Sequence, residues 1–182
     1  MGKAVPVLAI IGAGTAGRRF ALACAAAGYD VVLEDVMPSN LRRAQDAYQE
    51  LSVSGRLSVA LTVEGAVERA DIAIDFVPDE LESKLEIFSL MDRMAPPRTI
   101  FCTPSDALSI TDLASCVYRP ERCFALRGNL IGEGPIRILY PESRNEDALA
   151  QVVGLFASLG RVPAPETDPD VPMLMKNLTA SR

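Results

Sequence analysis

Apolar residues run through this chain in two rhythms. Short, nearly continuous runs at 7–11, 29–33, 57–62, 72–77, 99–103, 122–126 and 136–140 read as strands. Between them the apolar positions recur every three or four residues, the period of a helix with one buried face. An Ala-rich helix over 15–27 ends at Gly28, where a left-handed cap is easily made. The next begins at Pro38, a good first-turn residue, and sets Leu41, Ala44, Tyr48 and Leu51 on one face. A short helix follows at 63–70. The strongest helical pattern lies at 79–94, with Leu81, Leu85, Phe88, Met91 and Met94 as its core stripe, and Pro96 and Pro97 stop it. Another short helix is expected over 110–117. The pattern at 145–159 turns Leu149, Val152, Val153, Phe156 and Leu159 inward, and Gly160 closes it. The run 161–165 contains two prolines and reads as a short edge strand. Strands alternating with helices predict one α/β domain on a parallel sheet. An acidic, Pro-rich joint at 163–172 marks a boundary. Residues 1–168 are expected to form the domain and 169–182 to begin a C-terminal helix.

The first strand runs straight into Gly12, Gly14 and Gly17, which complete G-x-G-x-x-G before the first helix. Gly12 permits a tight turn, Gly14 lets a pyrophosphate approach the backbone, and Gly17 lets helix and strand pack closely. Thr15 and Ala16 open the helix, whose free N–H groups and positive dipole end face the phosphates. Asp35 closes the second strand, 23 residues after Gly12, where a carboxylate meets the adenosine ribose hydroxyls. This strand–turn–helix–strand–acid order predicts a dinucleotide site on a Rossmann-type doubly wound, mostly parallel sheet with helices on both faces. Glu34 and Asp35 together repel a 2′-phosphate, which favours NAD over NADP. Arg18 and Arg19 are the contrary hint.

Composition narrows the chemistry. The chain has 182 residues, is 49% apolar and carries a net charge of −6. That argues against nucleic acid and anionic membrane as main partners. No apolar stretch reads as a signal peptide or a membrane span, and a cytoplasmic location is expected. Cys24 and Cys102 lie in apolar runs and read as core thiols, and the four cysteines form no C-x-x-C pair. There is no histidine, so no residue of this chain supplies an imidazole base or ligand, and no spacing suggests a metal site.

With these pieces placed, the sequence resembles the NAD-binding domain of the 3-hydroxyacyl-CoA dehydrogenase family over nearly its whole length. The stretches that carry the likeness are IGAGTAGRRFALACAAAGYDVVLEDV, ADIAIDFVPDELESKLEIF, APPRTIFCTPSDALSITDLA, RPERCFAL and DVPMLMKN. The resemblance implies NAD as cofactor and an oxidoreductase of fatty acid metabolism. It places the ribose acid on Asp35, the strand-four cofactor contacts on Val77 and Asp79, and a cofactor-side lysine on Lys84. Ala16 stands where the family has Met. The catalytic half departs from the pattern. The family's His position holds Arg127, which stays protonated and is no base at neutral pH. Its Glu falls on Leu139 in an ungapped register, with Glu133 the nearby acid if the register slips. Its substrate-side Ser falls on Asp106, and its Asn residues on Pro104 and Leu130. The last polar member is kept at Asn177, although the preceding glycine is Met173. The family's helical hairpin between strands two and three, which grips CoA, is missing, and its helical domain would follow Asn177.

Three readings stand at this point. In the first, the domain binds NAD(H) and has lost the usual hydride-transfer chemistry. In the second, it is an oxidoreductase on a small hydroxy or keto acid or an acyl-CoA. There Asp106 serves as base if burial raises its pKa, Arg127 grips a carboxylate or polarises a carbonyl, and Asn177 assists, with a partner chain supplying a helical domain. An ordinary Arg127–Asp106 ion pair is the plainer use of those two residues. In the third, the chain is an interaction module. Met173, Leu174, Met175 and Leu178 predict self-association or a partner chain at the C-terminal helix.

Overall fold

The computed structural model describes residues 5–170. In chain order the elements are β1 (Val7–Ile11), α1 (Thr15–Ala26), β2 (Asp30–Glu34), α2 (Pro38–Gln49), β3 (Arg56–Ala60), α3 (Val63–Val67), β4 (Ile72–Asp75), α4 (Leu81–Met94), β5 (Ile100–Pro104), α5 (Ile110–Ala114), β6 (Cys123–Arg127), β7 (Gly134–Tyr140), α6 (Glu146–Ser158) and β8 (Arg161–Thr167). The strands form a single sheet in the order β3-β2-β1-β4-β5-β6-β7-β8. β1 to β6 run parallel, β7 turns antiparallel to β6, and β8 runs parallel to β7. Strand order reverses between β1 and β4, and the crevice outside their carboxyl ends is the ligand position of such sheets.

Side chains alternate between two cores. Leu8, Ile10, Leu33 and Phe124 face α1, α2 and α6, where Phe20 and Phe156 pack at a ring-centroid distance of 6.0 Å. Ala9, Ile11, Phe101 and Leu139 face α3, α4 and α5 around Phe88 and Met91. Burial on both faces explains the continuous apolar runs of the parallel strands. The doubly wound, mostly parallel expectation therefore holds.

Several local expectations shift. Leu51 lies beyond the end of α2 and is 41% exposed, so the helix is anchored by Leu41 and Ala44. Phe88 and Met91 lie in the core face of α4 as expected and Leu81 and Leu85 pack at its border, but Met94 is 38% exposed, and Lys84, Ile87 and Asp92 join the buried face. The two charged residues take core positions because each meets a buried partner, Lys84 on Asp75 and Asp92 on Arg119. In α6, Ala148 and Leu155 join Leu149, Val152 and Phe156 inside, while Val153 and Leu159 sit at the border. β8 is longer than the 161–165 run, because Glu166 and Thr167 also pair with β7 and Glu166 meets Arg137. Cys24 and Cys102 are core thiols as expected, with burial pushing both well up. The expected C-terminal helix, with Met173, Leu174, Met175 and Leu178, falls outside the described residues.

Candidate functional site

The turn after β1 is built by glycine. Gly12 has φ of 100°, a conformation that L side chains rarely adopt. A Cβ on Gly17 would fall 1.9 Å from the Gly12 carbonyl oxygen, so only glycine lets α1 close onto the turn. A Cβ on Gly14 would meet nothing within 4 Å. The space above Gly14 is therefore open, and that glycine is not required by packing. Gly14 is also the helix N-cap, without a side-chain cap and without an acid in the first turn. The first helical bond runs from Arg18 N–H to the Gly14 carbonyl, so the N–H groups of Thr15, Ala16 and Gly17 have no intrahelical acceptor. An uncapped helix start below an open space fits a phosphate.

Asp35 is fixed beside this turn. Its carboxylate accepts from the Ala13 N–H at 2.8 Å, the Met37 N–H at 2.7 Å and the Asn40 side-chain amide at 3.1 Å. A carboxylate has about four lone-pair sites, so one is left for a hydroxyl. Glu34 is 4% exposed, and burial followed by the neighbouring Asp35 charge raises its pKa. The Asn40 contact joins α2 to the site, a link with no mark in the sequence beyond an Asn in the first turn.

Across the crevice, at the ends of β4, β5 and β6, a 300 Å³ cavity is lined by Ala16, Val77, Asp79, Lys84, Ser105 and Asp106, among others. Lys84 touches its wall while being almost wholly buried, and its ammonium donates to Asp75 Oδ1 at 2.8 Å. Burial pushes Asp75 up, and the Lys84 charge acts against it. Asp75 Oδ2 and the Thr103 hydroxyl are buried without a well-formed hydrogen bond. The pairing of Asp75 with Lys84 was not read from the sequence, although an acid inside an apolar strand run is the signal of a buried partner. Asp79 accepts from the Asp106 N–H at 3.0 Å. Asp106 is exposed, so the burial that a base at this position needs is absent.

Arg127 does not pair with Asp106. Its guanidinium donates to the carbonyls of Ser105 and Leu108, both at 3.1 Å, and pairs with Asp170. It is therefore committed to the loop after β5 and to the chain beyond β8, rather than free to grip a substrate carboxylate. Asp168 completes this fastening, accepting from Ser109 Oγ at 2.7 Å and the Thr111 N–H at 2.9 Å. Both acids sat in what the sequence showed only as a polar joint. Leu139 is fully buried, paired with Ala125. Glu133 is exposed on the β6–β7 loop, and its carbonyl accepts from Arg161. Asn177 lies outside the described residues. A second hollow of 550 Å³, lined by Tyr29, Asp147 and Gln151 among others, adjoins the amino-terminal ends of β1, β2 and β4, away from this crevice.

The model of the family described as "3-hydroxyacyl-CoA dehydrogenase, NAD binding domain" matches residues 7–127. The chain belongs to this family. It is 30% identical over 172 residues to a probable 3-hydroxybutyryl-CoA dehydrogenase of Bacillus subtilis, covering 84% of this chain and 59% of that protein. It is 28% identical over 185 residues to the 5-formyl-3-hydroxy-2-methylpyridine 4-carboxylate 5-dehydrogenase of Mesorhizobium japonicum, covering 93% of this chain and 60% of that protein. The chain thus spans about three fifths of the length of these two curated relatives. The fold is that of the (S)-3-hydroxybutyryl-CoA dehydrogenase of Ralstonia eutropha, with a TM-score of 0.79, 20% identity and coverage of 91% of this chain and 64% of that one. In this dehydrogenase family the matched region is the NAD-binding domain, and NAD is its cofactor. Among the described residues no helix is long and apolar enough to cross a membrane.

Proposed function

We propose that this domain holds NAD(H) across the carboxyl ends of β1 and β4, and that the chain supplies no acid–base pair of its own for hydride transfer. Gly12, Gly14, Thr15, Ala16 and Gly17 would cradle the pyrophosphate. Asp35 would take the adenosine ribose hydroxyls, and Val77, Asp79 and Lys84 would line the nicotinamide side. The open space at Gly14, above an uncapped helix start, supports this cradle. When bound, the dinucleotide supplies a nicotinamide able to accept or donate hydride. The proton must then move through a residue beside it, and the observation that carries the second half of the proposal is Arg127. It stands where the family's histidine is expected, holds its protons at neutral pH, and is fastened to two carbonyls and Asp170.

The domain in this reading comprises residues 1–168. Residues 169–182 begin a helix that meets a second copy or a partner chain, and the protein works in the cytoplasm. The test is calorimetric titration with NAD, NADH and NADP, with Asp35→Ala as control. Saturable binding of NAD or NADH, weakened about tenfold in the variant and stronger than that of NADP, is the expected result. NADH absorbance should stay constant with acetoacetyl-CoA and with short keto acids. Absence of binding at millimolar cofactor overturns the cofactor assignment. Steady NADH oxidation that needs Asp106 overturns the second half.

A further inference from the structure

A 260 Å³ cavity opens between the second turn of α1 and the loop from β6 to β7, beside the crevice. It shares Ala16, Phe76 and Gly128 with the 300 Å³ cavity at the ends of β4 and β5. Phe20, Phe76, Leu130 and Ile131 make its apolar walls, and the exposed Arg19 and Asn129 are the polar side chains that line it. Ala16, Arg19 and Phe20 follow i, i+3, i+4 spacing on α1, so one helix face lines the cavity. Arg19 is its one charged lining residue. Among the described residues, the side chains of Arg19 and Asn129 form no hydrogen bond and no ion pair.

We propose that this cavity binds the carboxylate of a small organic acid, with Arg19 as its cation, Asn129 as a second donor and the four apolar side chains around its carbon body. A planar guanidinium offers two parallel N–H donors that match one carboxylate. A single cation suits a single negative charge. The volume lies below the range of about 300–1,000 Å³ that drug-sized ligands occupy, which fits a short acid and not a coenzyme A ester. The shared walls set such an acid next to the nicotinamide side of the crevice. That neighbourhood rests on the cofactor reading, whereas the binding itself does not. The position of Arg19 also answers the NADP hint. It lines a cavity against the β6–β7 loop, and no side chain from the Asp35 region contributes to that lining.

The experiment compares butyrate, 3-hydroxybutyrate and benzoate with butyramide and benzamide, each titrated by NMR to about 10 mM, a range that reveals millimolar dissociation constants. Wild type, Arg19→Gln and Asn129→Ala are measured with and without NADH. The expected result is binding of at least one acid in preference to its amide. Arg19→Gln should weaken that acid about tenfold or more and leave NADH affinity unchanged. Equal binding of acids and amides overturns the inference, as does acid binding indifferent to Arg19→Gln. A parallel loss of NADH affinity in Arg19→Gln overturns it as well, by assigning Arg19 to the cofactor. Binding of NADH with no acid bound removes the acid site and leaves the cofactor reading standing. Arg19-dependent acid binding without NADH binding does the reverse. If neither binds, both fall.

Discussion

The β1–α1–β2 half of the crevice and the half made by β4, β5 and β6 contain similar polar groups and use them in opposite ways. In the first, backbone N–H groups at the start of α1 are left without intrahelical acceptors, and Asp35 is held by three donors with one lone-pair site to spare. In the second, side chains are tied to other parts of the chain: Lys84 pairs with Asp75 in the interior, Arg127 pairs with Asp170, and at the surface Asp79 accepts from the Asp106 N–H. A binding half keeps its polar capacity pointed outward in advance of a ligand, which lowers the cost of ordering on binding. A lysine or arginine committed to a carboxylate of the same chain gains stability and loses chemical freedom. In the proposed reading, the same crevice combines a prepared cofactor cradle with a reaction side whose Lys84 and Arg127 are already committed.

The sharpest way to break this comparison lies within the cradle, where two glycines of one motif have different duties. Gly17→Ala places a Cβ 1.9 Å from the Gly12 carbonyl, where no flexible side chain can give way. The expected outcome is loss of the native fold, at or beyond the upper end of the ~1–3 kcal/mol typical of overpacking, read as a collapsed thermal transition. Gly14→Ala meets nothing within 4 Å. It should cost no more than about 1 kcal/mol, the effect of Ala at an N-cap, while NAD affinity falls tenfold or more because the methyl group enters the phosphate space. If both variants lose stability alike, Gly14 belongs to the fold and the open space is not a cradle.

Next in size is the buried pair. Lys84→Met leaves the Asp75 carboxylate buried beside an apolar chain, and truncating one partner of a buried pair costs about 3–5 kcal/mol. The pH dependence has a definite sign. Burial already pushes Asp75 up, and the variant removes the ammonium that opposes this. The folded variant then holds its proton to higher pH than the unfolded chain. Its stability should rise as pH falls through the raised folded value and level off below the ordinary carboxylate range. Asp75→Asn combined with Lys84→Met should recover part of the loss. Denaturant melts across pH check both points, and a single variant as stable as wild type at neutral pH would show that the pair is not ionised.

Arg127 tests whether the committed half can be reopened. Arg127→His removes two bonds to carbonyls and the Asp170 pair, and should cost about 1–3 kcal/mol given that the guanidinium is largely buried. It should not create NADH turnover on acetoacetyl-CoA, because Leu139 is fully buried where an orienting carboxylate would be needed. Measurable turnover that falls as pH rises through the imidazole range, as a protonated imidazole giving its proton to the carbonyl oxygen requires, would show that this half lacks only its acid–base group.

How much of this was legible in the sequence differs between the two halves for a physical reason. The cradle is local. Gly12, Gly14 and Gly17 lie within six residues, and their duties follow from one turn, so motif and context were enough to read strand, turn, helix and acid. The sheet was legible because burial on both faces leaves continuous apolar runs. The reaction side depends on contacts between distant residues, such as Arg127 with Asp170 and Asp75 with Lys84, which leave no periodic trace. An arginine reads the same in sequence whether it grips a ligand or a neighbouring strand. The core face of α4 was read incompletely for that reason, since Lys84 and Asp92 enter the core only because Asp75 and Arg119 await them.

The smallest expected effect concerns Asp168, which fastens the end of β8 to the start of α5. Burial works to raise its pKa, but the Ser109 hydroxyl and the Thr111 and Asp170 N–H groups outweigh burial and hold it below the usual carboxylate value. A carboxylate with a depressed folded pKa stabilises the protein fully above its unfolded value, and that contribution fades as pH falls through the folded one. Asp168→Asn keeps the shape, removes the charge and turns one acceptor into a donor, facing either Ser109 Oγ and the Thr111 N–H, which share Oδ2, or the Asp170 N–H on Oδ1. It should lower stability by about 1 kcal/mol at neutral pH, and the gap to wild type should close below the ordinary carboxylate range, where both side chains are uncharged. Parallel urea melts from neutral to acidic pH provide the check. A gap that stays constant with pH would mean that the geometry of the joint, and not the charge on Asp168, holds the end of β8 against the reaction side of the crevice.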